Sequence, residues 1–474
     1  MLLSRLKQMI IAVVVCCLVV VQTAGPARAS FTIEDEKKIG REFYEKMEKA
    51  NVLLRNPKIN DYINRLGNMV LAKSDKAPFE FHFYVIKSSA VNAFATPGGY
   101  IYLNRGLINL AENESQLASV IAHEIAHVNG RHIAQIVEKA TKINIATITA
   151  MLAAAFLGGG SDLGAAVMGF SLATATTLTL KYSREHEEEA DRMGMATLVA
   201  TGYNPQGMPD FMKLMRRYEY YSKSVPSYFL THPGTDERIR YMDALLQSTF
   251  KQKGRDNILG GFKRVQTVLL FGSTNLESTL KHFTDNLAKN PNDVDDLYGA
   301  AVTTYKLGQA DRSLTYFRQA LKLAPGDEDI LRDMGIALFK LGKPKEAIAV
   351  LQKAMDINPT DANTIQYMGR SYAALEDYGP ALALFQRIED RPVEDPDLYY
   401  SIALAYGKMN RPGDMHYFFG LQAKKNNKTE TALYHLRAAL PFFPKGTKRA
   451  DDIEAAIKSL TNKSAMVKGG PPKR

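Results

Sequence analysis

The sequence predicts an α+β fold that is mostly α, with a small sheet held among helices in the first half and an α-solenoid in the second. Three observations carry this expectation. From Phe79, "FEFHFYVIKS" alternates as a half-buried strand does, and "VNAFATPGGYIYLNRGLI" reads as strand, Pro-Gly-Gly turn, strand. Residues 31–75 and several later segments carry apolar residues at helical spacing. Beyond about residue 290, prolines, small residues and aromatic or leucine residues recur every 34 positions.

The chain has 474 residues, 46% hydrophobic and 23% charged, a globular composition with length for two to four domains of ~100–200 residues. Residues 1–29 read as a cleaved secretory signal. Arg5 and Lys7 precede an apolar run from Met9 to Val21, and Ala27-Arg28-Ala29 supplies the small residues of a cleavage site. An uncleaved anchor is the alternative, although the run is short of the ~20 residues a bilayer span needs. Both cysteines, Cys16 and Cys17, fall inside this segment. The mature chain therefore has no thiol, which excludes cysteine catalysis and suits an oxidising envelope compartment, here expected to be the periplasm. Val15 ahead of Cys16 argues against lipidation. The net charge of +10 is spread out without basic and aromatic clustering, so no nucleic acid is expected, while peripheral contact with a membrane surface stays open.

A long helix is expected to start near Ser115 and to carry "IAHEIAHVNGRH", residues 121–132. Residues four apart lie about 40° apart around a helix, so His123 and His127 point the same way and can share one ion. Glu124 falls on the same flank, placed to work on a water at the metal rather than to ligate it. Leu117, Ile121, Ile125 and Val128 gather on the far side, as a core requires. A catalytic zinc site wants a third protein ligand. His132 misses the HExxHxxGxxH register by one position, and continuing the helix turns it about 140° from His127, so it is expected to be structural or to support a ligand. On a later helix, "EEEAD" sets Glu187 four residues before Asp191. Glu187 can thus ligate while Asp191 accepts a hydrogen bond from a ligand ring, and Glu188 and Glu189 face solvent. Between the two helices, Ile143–Leu157 and Leu163–Leu180 are expected to form a buried or interfacial helical hairpin rather than membrane spans.

In the second half Pro291, Pro325 and Pro359 keep the 34-residue step, as do Phe317, Leu351, Phe385 and Phe419, and Ala301, Gly335, Gly369 and Ala403. This pattern resembles the tetratricopeptide repeat. Four repeats are expected from about Asp293 to Asn427, with a half-repeat before them and a poorer helical pair after, and a disordered tail over residues 462–474.

"HEIAHVNGRH", "EHEEEADRMG" and "THPGTDER" together resemble the zinc metalloendopeptidase family of the CaaX prenyl protease and HtpX heat-shock protease. The resemblance implies a gluzincin-type domain holding one Zn²⁺ by His123, His127 and Glu187, with Glu124 as general base and Asp191 behind a ligand. It implies a substrate strand over Asn92, Ala93, Phe94 and Ala95, cleaving extended or unfolded chains by edge pairing. His232, in the matching His-Pro-then-Arg segment with Arg238, is expected to stabilise the oxyanion or to plug the open metal position, on a constrained loop outside the core. The domains expected are residues 1–29 (signal), 30–255 (protease), 256–461 (repeats) and 462–474 (tail). The expected function is cleavage of unfolded or misassembled outer-membrane proteins, with the repeats binding protein partners such as an outer-membrane assembly machinery. An envelope assembly chaperone or adaptor without proteolysis is the alternative.

Overall fold

The structure is a computed structural model that describes residues 31–139, 145–157, 181–233, 235–272, 275–389 and 397–468. The expected signal, the whole of the second apolar stretch (Leu163–Leu180) and the last residues of the tail lie outside the described residues. The chain divides into two compact units, residues 1–269 and 270–474.

The first unit begins with α1 (Ile33–Lys49) and α2 (Pro57–Leu71). Thr32 starts α1 through a reciprocal cap with Asp35, and Asn56 and Pro57 start α2. The sheet follows, with β1 (His82–Ile86), β2 (Ala93–Thr96) and β3 (Tyr100–Asn104) in the order β1-β3-β2. β2 and β3 form the expected antiparallel hairpin, while β1 pairs with β3 in parallel, His82 opposite Tyr100. Gly98 and Gly99 turn the hairpin at φ of 85° and 94°, and a Cβ at Gly99 would sit 2.3 Å from the Glu80 carbonyl.

Both faces of the sheet are covered. Ala93, Ala95, Ile101 and Leu103 join one core with Leu117, Ile121 and Ile125, whereas Phe94 and Tyr102 join a second with Phe43 and Phe156. The small side chains of Ala93 and Ala95 let a helix approach β2 closely. That helix is α4 (Glu114–Asn129), which follows the short α3 (Arg105–Leu110). Asn113 caps α4 through the Gln116 amide, and α4 is buried all round rather than on one side only, because it is the central element of its unit.

After α4 come α5 (His132–Lys139) and α6 (Ile145–Leu157), and α7 (Arg184–Thr201), α8 (Gly207–Ser222), α9 (Ser227–Thr231), α10 (Thr235–Ser248) and α11 (Phe262–Leu270) complete the unit. Residues 256–269 pack here rather than with the repeats. The Glu114 carboxylate accepts from the amides of Ile258, Leu259 and Gly260 at 2.8, 2.7 and 3.0 Å, and from Tyr62 Oη and Tyr203 Oη at 2.8 and 2.5 Å. No described helix is long and apolar enough to cross a membrane.

The second unit is a solenoid of helix pairs, the first of them Val294–Lys306 with Ala310–Leu323. Asp293, Asp327 and Asp361 cap the first helix of three successive repeats through the amides of Asp296, Ile330 and Thr364, which adds an aspartate to the 34-residue columns. Phe317, Leu351 and Phe385 are buried at the expected positions, and a Cβ on Gly335 would meet Leu351 at 2.5 Å. In the fourth repeat Phe418, not the expected Phe419, takes the buried place. There the Phe418 ring stacks on Tyr406 of the preceding helix, Leu398–Lys408, with ring centroids 5.6 Å apart. Helix Lys448–Lys468 extends past residue 462, into the segment expected to be disordered.

Candidate metal centre

The i, i+4 spacing on α4 brings His123 Nε2 and His127 Nε2 to 2.9 Å from each other. α7, started by the Ser183 cap on the His186 amide, carries Glu187 against them. Its carboxylate oxygens lie 3.5 Å from His123 Nε2 and 3.6 Å from His127 Nε2. His232 completes the group, Nδ1 at 2.9 Å from Glu187 Oε1 and 3.3 Å from His123 Nε2. These four buried donors all lie within 4.8 Å of one another.

His232, expected on a constrained loop outside the core, is fully buried. It ends α9, where its amide donates to the Tyr228 carbonyl and its ring stacks on Tyr228 at 4.2 Å. The Tyr182 amide donating to the Thr231 carbonyl and the Tyr228 amide donating to the Val91 carbonyl draw this turn into the unit. Asp191, one turn after Glu187, lies 3.0 Å from His123 Nδ1. Behind both carboxylates sits Arg238 of α10, also buried, which donates to the two Asp191 oxygens at 2.8 and 2.7 Å and pairs with Glu187.

The charges agree with a cation site. Burial alone would raise the Glu187 and Asp191 carboxyls, but Arg238 and the histidines outweigh it and hold both below the ordinary carboxylate range. Burial pulls the His123 imidazole down, yet contacts with Asp191 and Glu187 prevail and push it up to about 9. His127 is held well below the usual value by burial and by His123, so it offers a neutral imidazole. Two imidazole nitrogens facing one another with an ionised carboxylate between them suit zinc, whose ligands are nitrogen and carboxylate oxygen in this arrangement.

Glu124 is fully buried next to this group, with neither carboxylate oxygen hydrogen-bonded and Oε1 3.6 Å from His232 Nε2. Burial pushes its carboxyl up, while His232, His123 and the Ala95 backbone act the other way. The strand expected to meet substrate lies at the sheet edge on β2, with Asn92 just before it. Asn92 Nδ2 donates to the Phe156 carbonyl at 2.8 Å, Phe94 stacks on Phe156 at 4.5 Å, and Ala95 helps line a small cleft with Thr96, Pro97, His127 and Tyr182.

Three features escape sequence spacing. Arg238 is 47 positions from Asp191, and only its place in the His-Pro-then-Arg segment marked it. His132 cannot be placed by continuing α4, because Arg131 takes φ of 51° and a new helix starts at His132 itself. It ends with Nδ1 2.8 Å from His127 Nδ1. Glu189 is exposed, as expected, yet its carboxylate also reaches His132 Nε2 at 3.3 Å.

Residues 54–246 match peptidase family M48, and residues 298–362 and 338–404 match tetratricopeptide repeats. The chain is 36% identical over 215 residues to a putative beta-barrel assembly-enhancing protease of Vibrio cholerae, covering 45% of this chain and 44% of that one. It is 33% identical over 214 residues to the beta-barrel assembly-enhancing protease of Escherichia coli K12, with the same coverage of both chains. Similarity to the mitochondrial metalloendopeptidase OMA1 of Schizosaccharomyces pombe is 29% over 185 residues, covering 39% of this chain and 52% of the relative. The chain thus spans about half the length of the curated relatives it matches. A crystal structure of MamA is similar at 20% identity with a TM-score of 0.30, covering 37% of this chain and 98% of that one. The paired histidines of α4 and the carboxylate of α7 thus lie inside the stretch, residues 54–246, that matches peptidase family M48, and the stretches that match tetratricopeptide repeats follow it.

Proposed function

We propose that the first unit is a zinc metalloendopeptidase of the periplasm, acting on unfolded or misassembled outer-membrane proteins, and that the repeats bind its protein partners. The observation that carries the chemistry is the convergence of His123, His127 and Glu187 beside a buried, unpartnered Glu124. A zinc ion held by His123, His127 and Glu187 would supply Lewis acidity to the scissile carbonyl and to an attacking water, whose pKa it would bring toward ~7. Glu124 would take a proton from an attacking water and deliver it to the leaving amine, a role its raised affinity for protons suits. Asp191 orients His123, and Arg238 keeps Asp191 and Glu187 ionised. Backbone pairing with the β2 edge holds the substrate extended, which selects unfolded chains. Relatives named as beta-barrel assembly-enhancing proteases support the outer-membrane assignment.

His232 brings a fourth donor to this group and would plug the metal site at rest. Its Nδ1 lies among the ligand atoms rather than beyond Glu124, which favours the plug over an oxyanion role.

The test is hydrolysis of an unfolded polypeptide by the wild type and by Glu124→Gln, which keeps the ligands and removes only the base. The expected loss is about 10²–10⁴-fold with zinc retained. Equal turnover by the two proteins would refute the assignment, and no cleavage by either would favour the chaperone reading.

A further inference from the structure

For His127 to present a lone pair at Nε2, its proton must sit on Nδ1. The acceptor for that proton is His132 Nδ1, 2.8 Å away. An accepting Nδ1 leaves the His132 proton on Nε2, and there Glu189 Oε2 lies at 3.3 Å. The three groups form one directional chain of donation that ends on a carboxylate. Its middle member is held on every side: His132 is fully buried and its ring lies flat on His186, centroids 4.5 Å apart and planes 14° from parallel. His186 Nε2 in turn lies 3.2 Å from Gln135 Oε1. Tyr182 stacks on His127 at 3.8 Å, so that ring too is fixed in plane.

We infer that Glu189, acting through His132, is a positioning residue for the metal centre. By holding the His132 proton on Nε2 it keeps His132 Nδ1 an acceptor, and this holds His127 in the tautomer whose Nε2 faces the other ligands. The inference rests on the metal-site reading above. The two histidine ligands are then oriented unequally. His123 meets a fully buried carboxylate, Asp191, directly, whereas His127 is governed at one ring's remove by a carboxylate whose side chain is 45% exposed. Outer partners of ligating imidazoles fix ring orientation and basicity, so their loss weakens metal binding without removing a ligand.

The partial exposure of Glu189 makes it the position to change, because a substitution there leaves the core intact. Zinc dissociation constants of the full chain are measured by competition with a chromophoric chelator for wild type, Glu189→Ala and Glu189→Gln, together with the melting of each metal-free protein. Glu189→Ala is expected to weaken zinc binding about 10-fold or more. Glu189→Gln, whose amide oxygen still accepts from His132 Nε2–H, is expected to stay within about threefold of wild type. The metal-free melting temperatures are expected to be unchanged. Wild-type affinity in Glu189→Ala, or an equal loss in Glu189→Gln, overturns the relay. So does a loss of affinity matched by a fall in metal-free melting, which marks a structural role only. A wild-type chain that binds no zinc overturns the metal centre itself, and the relay with it.

Discussion

Glu114→Ala tests how the first unit is closed. The Glu114 carboxylate is fully buried at the first turn of α4 and accepts five hydrogen bonds, two from the phenols of Tyr62 and Tyr203 and three from the amides of Ile258, Leu259 and Gly260. Alanine leaves all five donors without their acceptor. The amides lie in a partly exposed loop and regain water, so the cost falls mainly on the two phenols, each buried donor left unpaired costing about 1–3 kcal/mol. The sum is about 2–6 kcal/mol, and at ~2–4 °C per kcal/mol for a unit of this size the middle of the range lowers its melting by about 8–16 °C. Calorimetry of the full chain follows the transition, and hydrogen exchange reports the amides at 258–260, which are expected to lose protection. A chain ending at residue 255 is also expected to melt below one ending at 270, since it strips three donors from the buried Glu114 carboxylate and takes Phe262, Val265 and Leu269 out of the core. Melting within about 1 °C of wild type, with unchanged exchange, would show that residues 256–269 are not part of this unit's closure.

Zinc content measured by mass spectrometry is expected to be one ion per chain, abolished by His123→Ala and Glu187→Ala, while His132→Ala still fills at saturating zinc; metal loss in His132→Ala with retention in Glu187→Ala would reverse the ligand assignment. His232→Ala is expected to raise basal cleavage of a short peptide, and a fall of about 10-fold or more would instead make the ring an oxyanion donor. Arg238→Met strips the buried partner from Asp191 and Glu187, a loss of about 3–5 kcal/mol in the metal-free protein at neutral pH by chemical denaturation. In the wild type both carboxyls are depressed, so their contribution is present above the unfolded carboxyl range and is lost as pH falls through the folded values. In Arg238→Met burial raises them instead, and the deficit is expected to shrink as pH falls toward about 4, where protonation removes the unpaired charge; a deficit constant with pH would rule out this origin.

Local spacing determined a good part of this protein. A helix places residues four apart on one side wherever it lies, so His123, Glu124 and His127 were legible before any neighbour was known, as was the relation of Glu187 to Asp191. The Pro-Gly-Gly turn announced the hairpin, and the 34-residue columns announced the solenoid, because each repeat must bury its face on the next. Tertiary structure decided whatever depends on segments distant in sequence or on a break in regular geometry. The parallel pairing of β1 with β3, the reach of Arg238 to two carboxylates and the five donors around Glu114 all join such segments. No periodicity encodes these pairings. His132 eluded projection because one residue in the left-handed region, Arg131, ends the helix on which the projection relied. His232, expected on a constrained loop outside the core, is buried because its ring finds a buried polar partner, Glu187; Glu189 keeps the exposure expected of it and still reaches the buried His132 ring.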